Sequence, residues 1–375
     1  MKPIFAVPAI TLLVHRAWTH NSLTTPGIVV AALTAIAHAA HPWDTPFVLL
    51  AVFFLAGTRV TKINHEAKEK LTIASKGTPG GEGPRNHVQV VANSLVASIL
   101  IVMHAFQLYN REGSDKCYSW QGDLLPIGFI ANYAAVAADT FSSELGILSK
   151  SKPRLITSPT LRVVPKGTNG GVTLMGLGAG LFGSLILVTA AMITLPLCEP
   201  PEGMAPPTDS DETGPWWTTG RRGIFMWGLT LIGFLGSVVD SILGGLLQRT
   251  VKDVKTGKIV EGEGGARVLV TDERHNERVR AALKAAALGG EGSDAVEELD
   301  STGKQDVRRR GAKKDIKPKA RQASFGDGPS RAVENGMDLL DNNQVNIVMA
   351  GLMSLFAIVV ASFYWDVPLV SAFSI

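Results

Sequence analysis

The apolar residues of this chain fall into blocks separated by polar and basic stretches. Eight blocks with few charges run approximately over Ile4–Val14, Gly27–Ala40, Phe47–Val60, Val88–Tyr109, Leu124–Ser142, Val172–Leu197, Gly223–Leu247 and Val345–Tyr364. A helix needs about 20 such residues to cross a ~30 Å hydrocarbon core, so the pattern predicts an all-α, polytopic membrane bundle. The first three blocks are short, and Pro8, Pro42 and Pro46 interrupt that region. One pair there is compatible with a tilted or re-entrant hairpin, which puts the expectation at about eight spans, within a range of about seven to nine. The start of the chain runs into His15 and Arg16 without a small-residue cleavage site and reads as the first membrane segment.

The polar stretches give the organisation. Residues 1–198 form an N-terminal membrane half, 199–220 a Pro-rich acidic loop and 221–249 a further membrane helix. Residues 250–337 are charged and rich in Gly and Ala, which predicts a largely disordered insert, and 338–375 hold the last helix. The net charge of +3 says little as a total. Its distribution says more, because Arg16, the Lys62–Arg85 group, the Lys150–Lys166 group and the region after Arg249 all fall in odd-numbered loops. By the positive-inside rule those loops face the cytosol, and both termini lie on the far side. Cys117 and Cys198, the two cysteines, then share the non-cytosolic side, which permits a disulfide without requiring one.

Polar residues inside the blocks carry the candidate chemistry. Asp139 closes the fifth block, and Asn132 and Ser143 share its helical stripe. Glu144, five residues on, is rotated about 140° away. Asp240 lies within the seventh block beside Ser237, Ser241, Gly244 and Gly245. A carboxylate in hydrocarbon is costly and marks a functional site by default. Asn86, Gln89 and Asn93 recur at helical spacing, as do Asn342 and Asn346; these amides are either interhelical glue or a polar lining for phosphate. Asp341 with Gln344 reads as a capping pair. After Asp139 come Lys150, Lys152, Arg154 and Lys166, then the turn Gly167, Thr168, Asn169, Gly170 and Gly171. That turn lacks the Walker A pattern, yet a glycine turn opening a helix offers N–H groups to an anion. The similarity of RNHVQVVANS to DNNQVNIVMA, and of ADTFSSELG to VDSILGGLL, suggests an internal duplication with the site between the halves.

Taken together, ADTFSSELGILSKSKPRLIT, VPKGTNGGVT, GSVVDSILGGLLQ and LDNNQVN resemble the transmembrane protein 19 family, which includes the phytyl-phosphate kinase of photosynthetic organisms. The resemblance implies phosphorylation of an isoprenoid monophosphate by a nucleoside triphosphate, with CTP the implied donor. From the chemistry, Asp139 and Asp240 are expected to hold Mg²⁺, and Glu144 to complete that shell or order its water. Lys150, Lys152, Arg154, Lys166 and residues 167–171 are expected to clamp nucleotide phosphates. Asn86, Asn93, Asn342 and Asn346 are expected to bind the acceptor phosphate, whose tail enters from the bilayer. The expected location is the endoplasmic reticulum or another endomembrane, with the site facing the cytosol. The basic run RRRGAKKDIKPKAR is expected to meet anionic lipid headgroups, and nucleic acid is not an expected partner. Two rivals share these parts: a cytidylyl- or other phosphotransferase acting on a lipid phosphate, and a transporter with an acidic site.

Overall fold

In the computed structural model, residues 1–75, 77–80, 83–111, 116–200, 214–268, 270 and 331–373 are described. Among them, eight long helices occupy the eight apolar blocks: α1 (Pro3–Thr19), α2 (Thr25–Ala39), α3 (Thr45–Lys62), α5 (His87–Asn110), α6 (Leu125–Gly146), α7 (Leu174–Thr194), α8 (Thr219–Leu247) and α9 (Asn342–Trp365). A short helix, α4 (His65–Glu69), follows α3. Five of them, α3, α5, α7, α8 and α9, are long and apolar enough to cross a membrane. The prolines do not break the region where they cluster. Pro8 lies inside α1, and Pro46 sits in the first turn of α3, where its missing N–H has no partner to lose.

The core is built around α6, which is buried continuously from Leu125 to Ala138. A helix that is apolar on every side packs only if its neighbours surround it. Small residues make that possible. A Cβ at Gly236 of α8 would lie 2.5 Å from the Cβ of Ala135, and one at Gly233 2.5 Å from that of Ala134. On α7, a Cβ at Gly183 would lie 2.8 Å from the Ala137 carbonyl. Backbones thus approach in the manner of small-residue membrane interfaces.

The connections gather in two groups. In one, Thr24 N donates to Arg85 O (3.0 Å), Ser75 N to Glu261 O (2.9 Å) and Asn169 N to the Thr250 hydroxyl (3.2 Å). In the other, the N-terminal amine donates to Ala39 O (3.0 Å), Trp43 Nε1 to Lys116 O (2.6 Å) and Tyr118 N to Pro196 O (2.7 Å). These groups are the odd-numbered and even-numbered loops of the charge pattern. The second group carries the Cys117–Cys198 disulfide, whose Cα atoms are 5.0 Å apart. Beside it a buried chain runs from His41 through His104 and Asp123 to Arg111.

Short strands dress the odd-loop end. β2 (Arg154–Leu155) pairs antiparallel with β3 (Gly171–Val172), and a sheet of order β1-β5-β4-β6 joins β1 (Ile73–Ala74), β4 (Thr250–Asp253), β5 (Ile259–Glu261) and β6 (Arg331–Asn335). The described borders of the charged segment are structured, since Val251, Ile259 and Val260 are buried and bind the strands to the bundle's end; the bulk of the expected insert, residues 271–330, lies outside the described residues. Contacts divide the chain into a main unit, Met1–Lys252 with Gly257–Val268 and Val333–Ile375, and a second unit, Asp253–Thr256 with Leu269–Ala332. In the second, Thr256 donates through its amide and hydroxyl to Asp253 Oδ2.

Two outcomes test this packing. Gly236→Ala should cost about 1–3 kcal/mol in unfolding experiments, through overpacking against Ala135. Gly228→Ala on the same helix, where nothing lies within 4 Å, should cost less than about 0.5 kcal/mol. In sealed vesicles, a membrane-impermeant maleimide should label Cys117 and Cys198 only after reduction, and only from the side bearing the even-numbered loops. Labelling without reductant, or from the other side, contradicts the described arrangement.

Candidate functional site

The two intramembrane acids meet. Asp139 stands seven residues before the end of α6, and Asp240 seven before the end of α8. At ~1.5 Å per residue each lies about 10 Å inside the odd-loop end. Their equal depth resolves the ambiguity of Asp240, which the sequence places only as several residues inside its block. Their carboxyl groups lie within hydrogen-bonding reach of each other. Two carboxyl groups in contact repel when both are ionised, so the pair calls for a shared proton or a cation.

Amides from two further helices close on this pair. With its amide turned to donate, Asn346 Nδ2 lies 3.2 Å from Asp240 Oδ1 and 3.1 Å from Asn342 O. In the opposite orientation Asn346 Nδ2 lies 3.4 Å from Asn93 Oδ1. α5 and α9 begin alike, each with a capping box: Asn86 with Gln89, and Asp341 with Gln344. The Asp341 pair is the one the sequence marks. The Asn86 pair is not, because its spacing equally fits a stripe of amides. Asn86 thus caps α5, and Asn93 alone of the α5 asparagines faces the cleft.

The cleft has a volume of about 270 Å³ and is lined by Asp139, Glu144, Asp240, Asn93, Asn342, Asn346, Lys166 and residues 167–171. The turn reaches it because Gly167 and Gly170 adopt φ of +85° and +79°, a region that disfavours side chains. A Cβ at Gly170 would lie 2.8 Å from the Gly245 Cα, so this glycine also lets the turn press onto α8. Within the turn, the amides of Thr168, Asn169 and Gly171 already donate to Pro165 O, the Thr250 hydroxyl and Thr168 O. Lys166 Nζ donates to Ser149 O at 2.7 Å. The rest of the expected clamp lies elsewhere: Lys150 and Lys152 are exposed and do not line the cleft, and the Arg154 guanidinium donates to Leu161 O. Of residues 150–154, only Pro153 is buried and lines the cleft. The basic run at residues 308–321 lies outside the described residues.

The cleft contains groups that spacing does not single out. Lys68 of α4 is buried; its Nζ donates to Glu144 Oε2 at 2.5 Å and to the Val60 and Thr61 carbonyls at 3.0 Å. That pairing turns Glu144 away from the Asp139 stripe, as the 140° rotation implies. Nothing in KINHEAKEKL separates Lys68 from Lys62 or Lys70, because the distinction arises only when α4 folds under α6. Buried Thr72 Oγ1 and Asn343 Oδ1, both on residues lining the cleft, have no hydrogen-bond partner among the described residues. A second polar cavity of about 550 Å³ shares Gly167, Asn169, Gln248, Glu261 and Asn342 with the first and extends to Gly262–Val268, Arg249 and Arg267.

Removing one partner of the buried Lys68–Glu144 pair strands the other. Lys68→Met should cost about 3 kcal/mol in chemical unfolding, and adding Glu144→Leu should restore most of it. An unchanged midpoint in Lys68→Met contradicts the pairing.

The family model described as "Integral membrane protein DUF92" matches residues 8–354. Protein PGR of Arabidopsis thaliana is 36% identical over 250 residues, covering 65% of this chain and 78% of that protein. The uncharacterized membrane protein MJ0933 of Methanocaldococcus jannaschii is 36% identical over 140 residues, 37% of this chain and 49% of that one. Protein VTE6, chloroplastic, of Arabidopsis thaliana is 29% identical over 182 residues, 48% of this chain and 50% of that one. The chain thus spans about half the length of the last two relatives. No solved structure matches. The long match, with the helices that carry the acids and amides inside it, means that the chain belongs to the DUF92 family of integral membrane proteins.

Proposed function

We propose that this protein is a membrane-embedded phosphotransferase that moves the γ-phosphoryl group of a nucleoside triphosphate, CTP by preference, onto an isoprenoid monophosphate. The observation that carries the reading is the carboxyl pair of Asp139 and Asp240, off-centre in the bundle and facing a cleft rich in amides. The resemblance of the surrounding motifs to the family that includes phytyl-phosphate kinase supports the isoprenoid acceptor. A site about 10 Å inside one end suits an enzyme fed with a soluble nucleotide better than a transporter site near the midplane. The basic character of the adjoining loops argues that this end faces the cytosol, in an endomembrane such as the endoplasmic reticulum.

Mg²⁺ fits the donors present. Asp139 and Asp240 are hard oxygen ligands already in contact, and among the described residues no group of three or more His, Cys, Asp or Glu gathers to form a closed cage. Such a pair suits a cation that keeps several waters and takes phosphate oxygens. When bound, Mg²⁺ would neutralise charge on the transferring phosphoryl group. The chain's own residues do the rest. Lys166, Gly167 and Gly170 orient the nucleotide phosphates, and the larger polar cavity has room for the nucleoside. Asn93, Asn342 and Asn346 hold the acceptor monophosphate. An acceptor oxygen attacks the γ-phosphorus, the bond to the β-phosphate oxygen breaks, and a nucleoside diphosphate leaves. A phosphate dianion needs no strong general base, so the site must position and neutralise more than it must deprotonate.

Purified protein in nanodiscs, given labelled CTP or ATP, Mg²⁺ and isoprenoid monophosphates, should yield isoprenoid diphosphate and nucleoside diphosphate in equal amounts. Asp139→Asn and Asp240→Asn should each lower the rate by about 100-fold or more while leaving the unfolding midpoint near that of the wild type. Absence of diphosphate product from the wild type sinks the reading, as does full activity in either variant. Release of pyrophosphate in place of nucleoside diphosphate shows nucleotidyl transfer instead.

A further inference from the structure

A third cavity lies in the membrane part of the chain, between α1, α2, α3 and α5. Its volume is about 340 Å³, and its walls are apolar, with Val14, Ile28, Ala32, Phe53 and Val90 among them. One end is different. There Thr61, His65, Arg85, Gln89 and Asn93 line both this groove and the carboxylate cleft, so the two spaces adjoin at these residues.

Arg85 sits at that junction, and its main chain is tied to the connection between α1 and α2. Its amide donates to Ser22 O (3.1 Å), and its carbonyl accepts from Thr24 N (3.0 Å). Its side chain lies along α3, where a Cβ at Gly57 would be 3.4 Å from Nη1 and Nη2 donates to the Thr61 hydroxyl at 3.4 Å. Among the described residues no carboxylate pairs with this guanidinium, although Glu144 and the two aspartates line the adjoining cleft. An arginine with no carboxylate partner among the described residues, at the polar mouth of an apolar groove, is suited to a phosphate carried on an apolar chain. Beyond the mouth stands Asn346, whose amide donates to Asp240 in one orientation and to Asn93 in the other.

We infer that the groove between α1, α2, α3 and α5 binds the isoprenoid tail of the acceptor, and that Arg85 binds its phosphate and presents it to the carboxyl pair. The inference rests on the phosphotransferase reading for the identity of the tail. The groove's size is within the range of roughly 300–1,000 Å³ usual for ligand sites, and its walls contribute side chains from separate elements that only the folded bundle brings together. Arg85 thereby becomes a substrate-binding residue, and Ala32, a small residue on the wall, a determinant of whether a long tail fits.

Photo-crosslinking tests this without needing turnover. A long-chain isoprenoid monophosphate bearing a diazirine in its tail is irradiated with the full-length protein in phosphatidylcholine nanodiscs, and labelled peptides are mapped by mass spectrometry. Label is expected on the groove walls of α2, α3 and α5, competed by unlabelled isoprenoid monophosphate and far less by the corresponding alcohol or by phosphatidic acid. Arg85→Gln and Ala32→Phe should each reduce it at least about tenfold, the size expected for losing a charge-assisted contact or the space itself. Arg85→Lys keeps the charge and should retain part of the labelling. Unfolding midpoints establish that each variant is folded. Label spread over the lipid-facing sides of α7 and α9, labelling unchanged in both variants, or equal competition by phosphatidic acid overturns the proposal. Groove labelling without any phosphoryl transfer supports this site while removing the kinase reading; transfer with label elsewhere does the reverse.

Discussion

The constraint on which the rest depends is the close approach of α7 and α8 to α6. A helix buried on every side offers its neighbours no room for ordinary side chains, and the neighbours comply with Gly183, Gly233 and Gly236. Within a bilayer the hydrophobic effect does little to join helices, so this tight van der Waals contact supplies the cohesion. It also fixes register. Once Gly236 sits on Ala135, the next turn of each helix brings Asp240 beside Asp139. A shift of one residue in either helix would separate the carboxyl groups by about 100° of rotation.

The same economy of elements recurs at the odd-loop end. The capping boxes of α5 and α9 satisfy the first amides of both helices, which would otherwise compete for the cleft's polar groups. Gly264 and Gly265 then fold over those helix starts: Asn343 Nδ2 donates to Gly264 O at 2.9 Å, and a Cβ at Gly264 would lie 2.2 Å from Asn86 Nδ2. Two capped amide helices and two acid helices supply the cleft, in the order amide, acid, acid, amide along the chain. Charge is partitioned with care. Glu144 is answered by Lys68, and the aspartate pair and Arg85 line the cleft.

Much of this was legible in the sequence. Blocks of apolar residues locate every long helix, since burying a helix in lipid requires a composition that nothing else in the chain has. Asp139 and Asp240 stand out because an acid inside such a block is rare. What failed to show is instructive. Asn86, Gln89 and Asn93 obey helical spacing, but spacing cannot tell a cap from a face. Lys150, Lys152 and Arg154 lie near Asp139 in sequence, yet none of them lines the cleft. Lys68 is far in sequence from Glu144 and pairs with it. Arg85 shows only as a basic residue before a helix, and its meaning depends on a groove formed by four helices. Tertiary approach, not local pattern, decides each of these.

The central claim is that two acids from separate helices form one divalent-cation site. Mn²⁺ binding, followed by electron paramagnetic resonance on the purified protein with a non-hydrolysable nucleotide, tests it most directly. The expected result is that Asp139→Asn, Asp240→Asn and the double variant all weaken binding to the same degree, as members of a single unit do. Independent, multiplicative losses, or Mn²⁺ binding that survives either substitution, would contradict it.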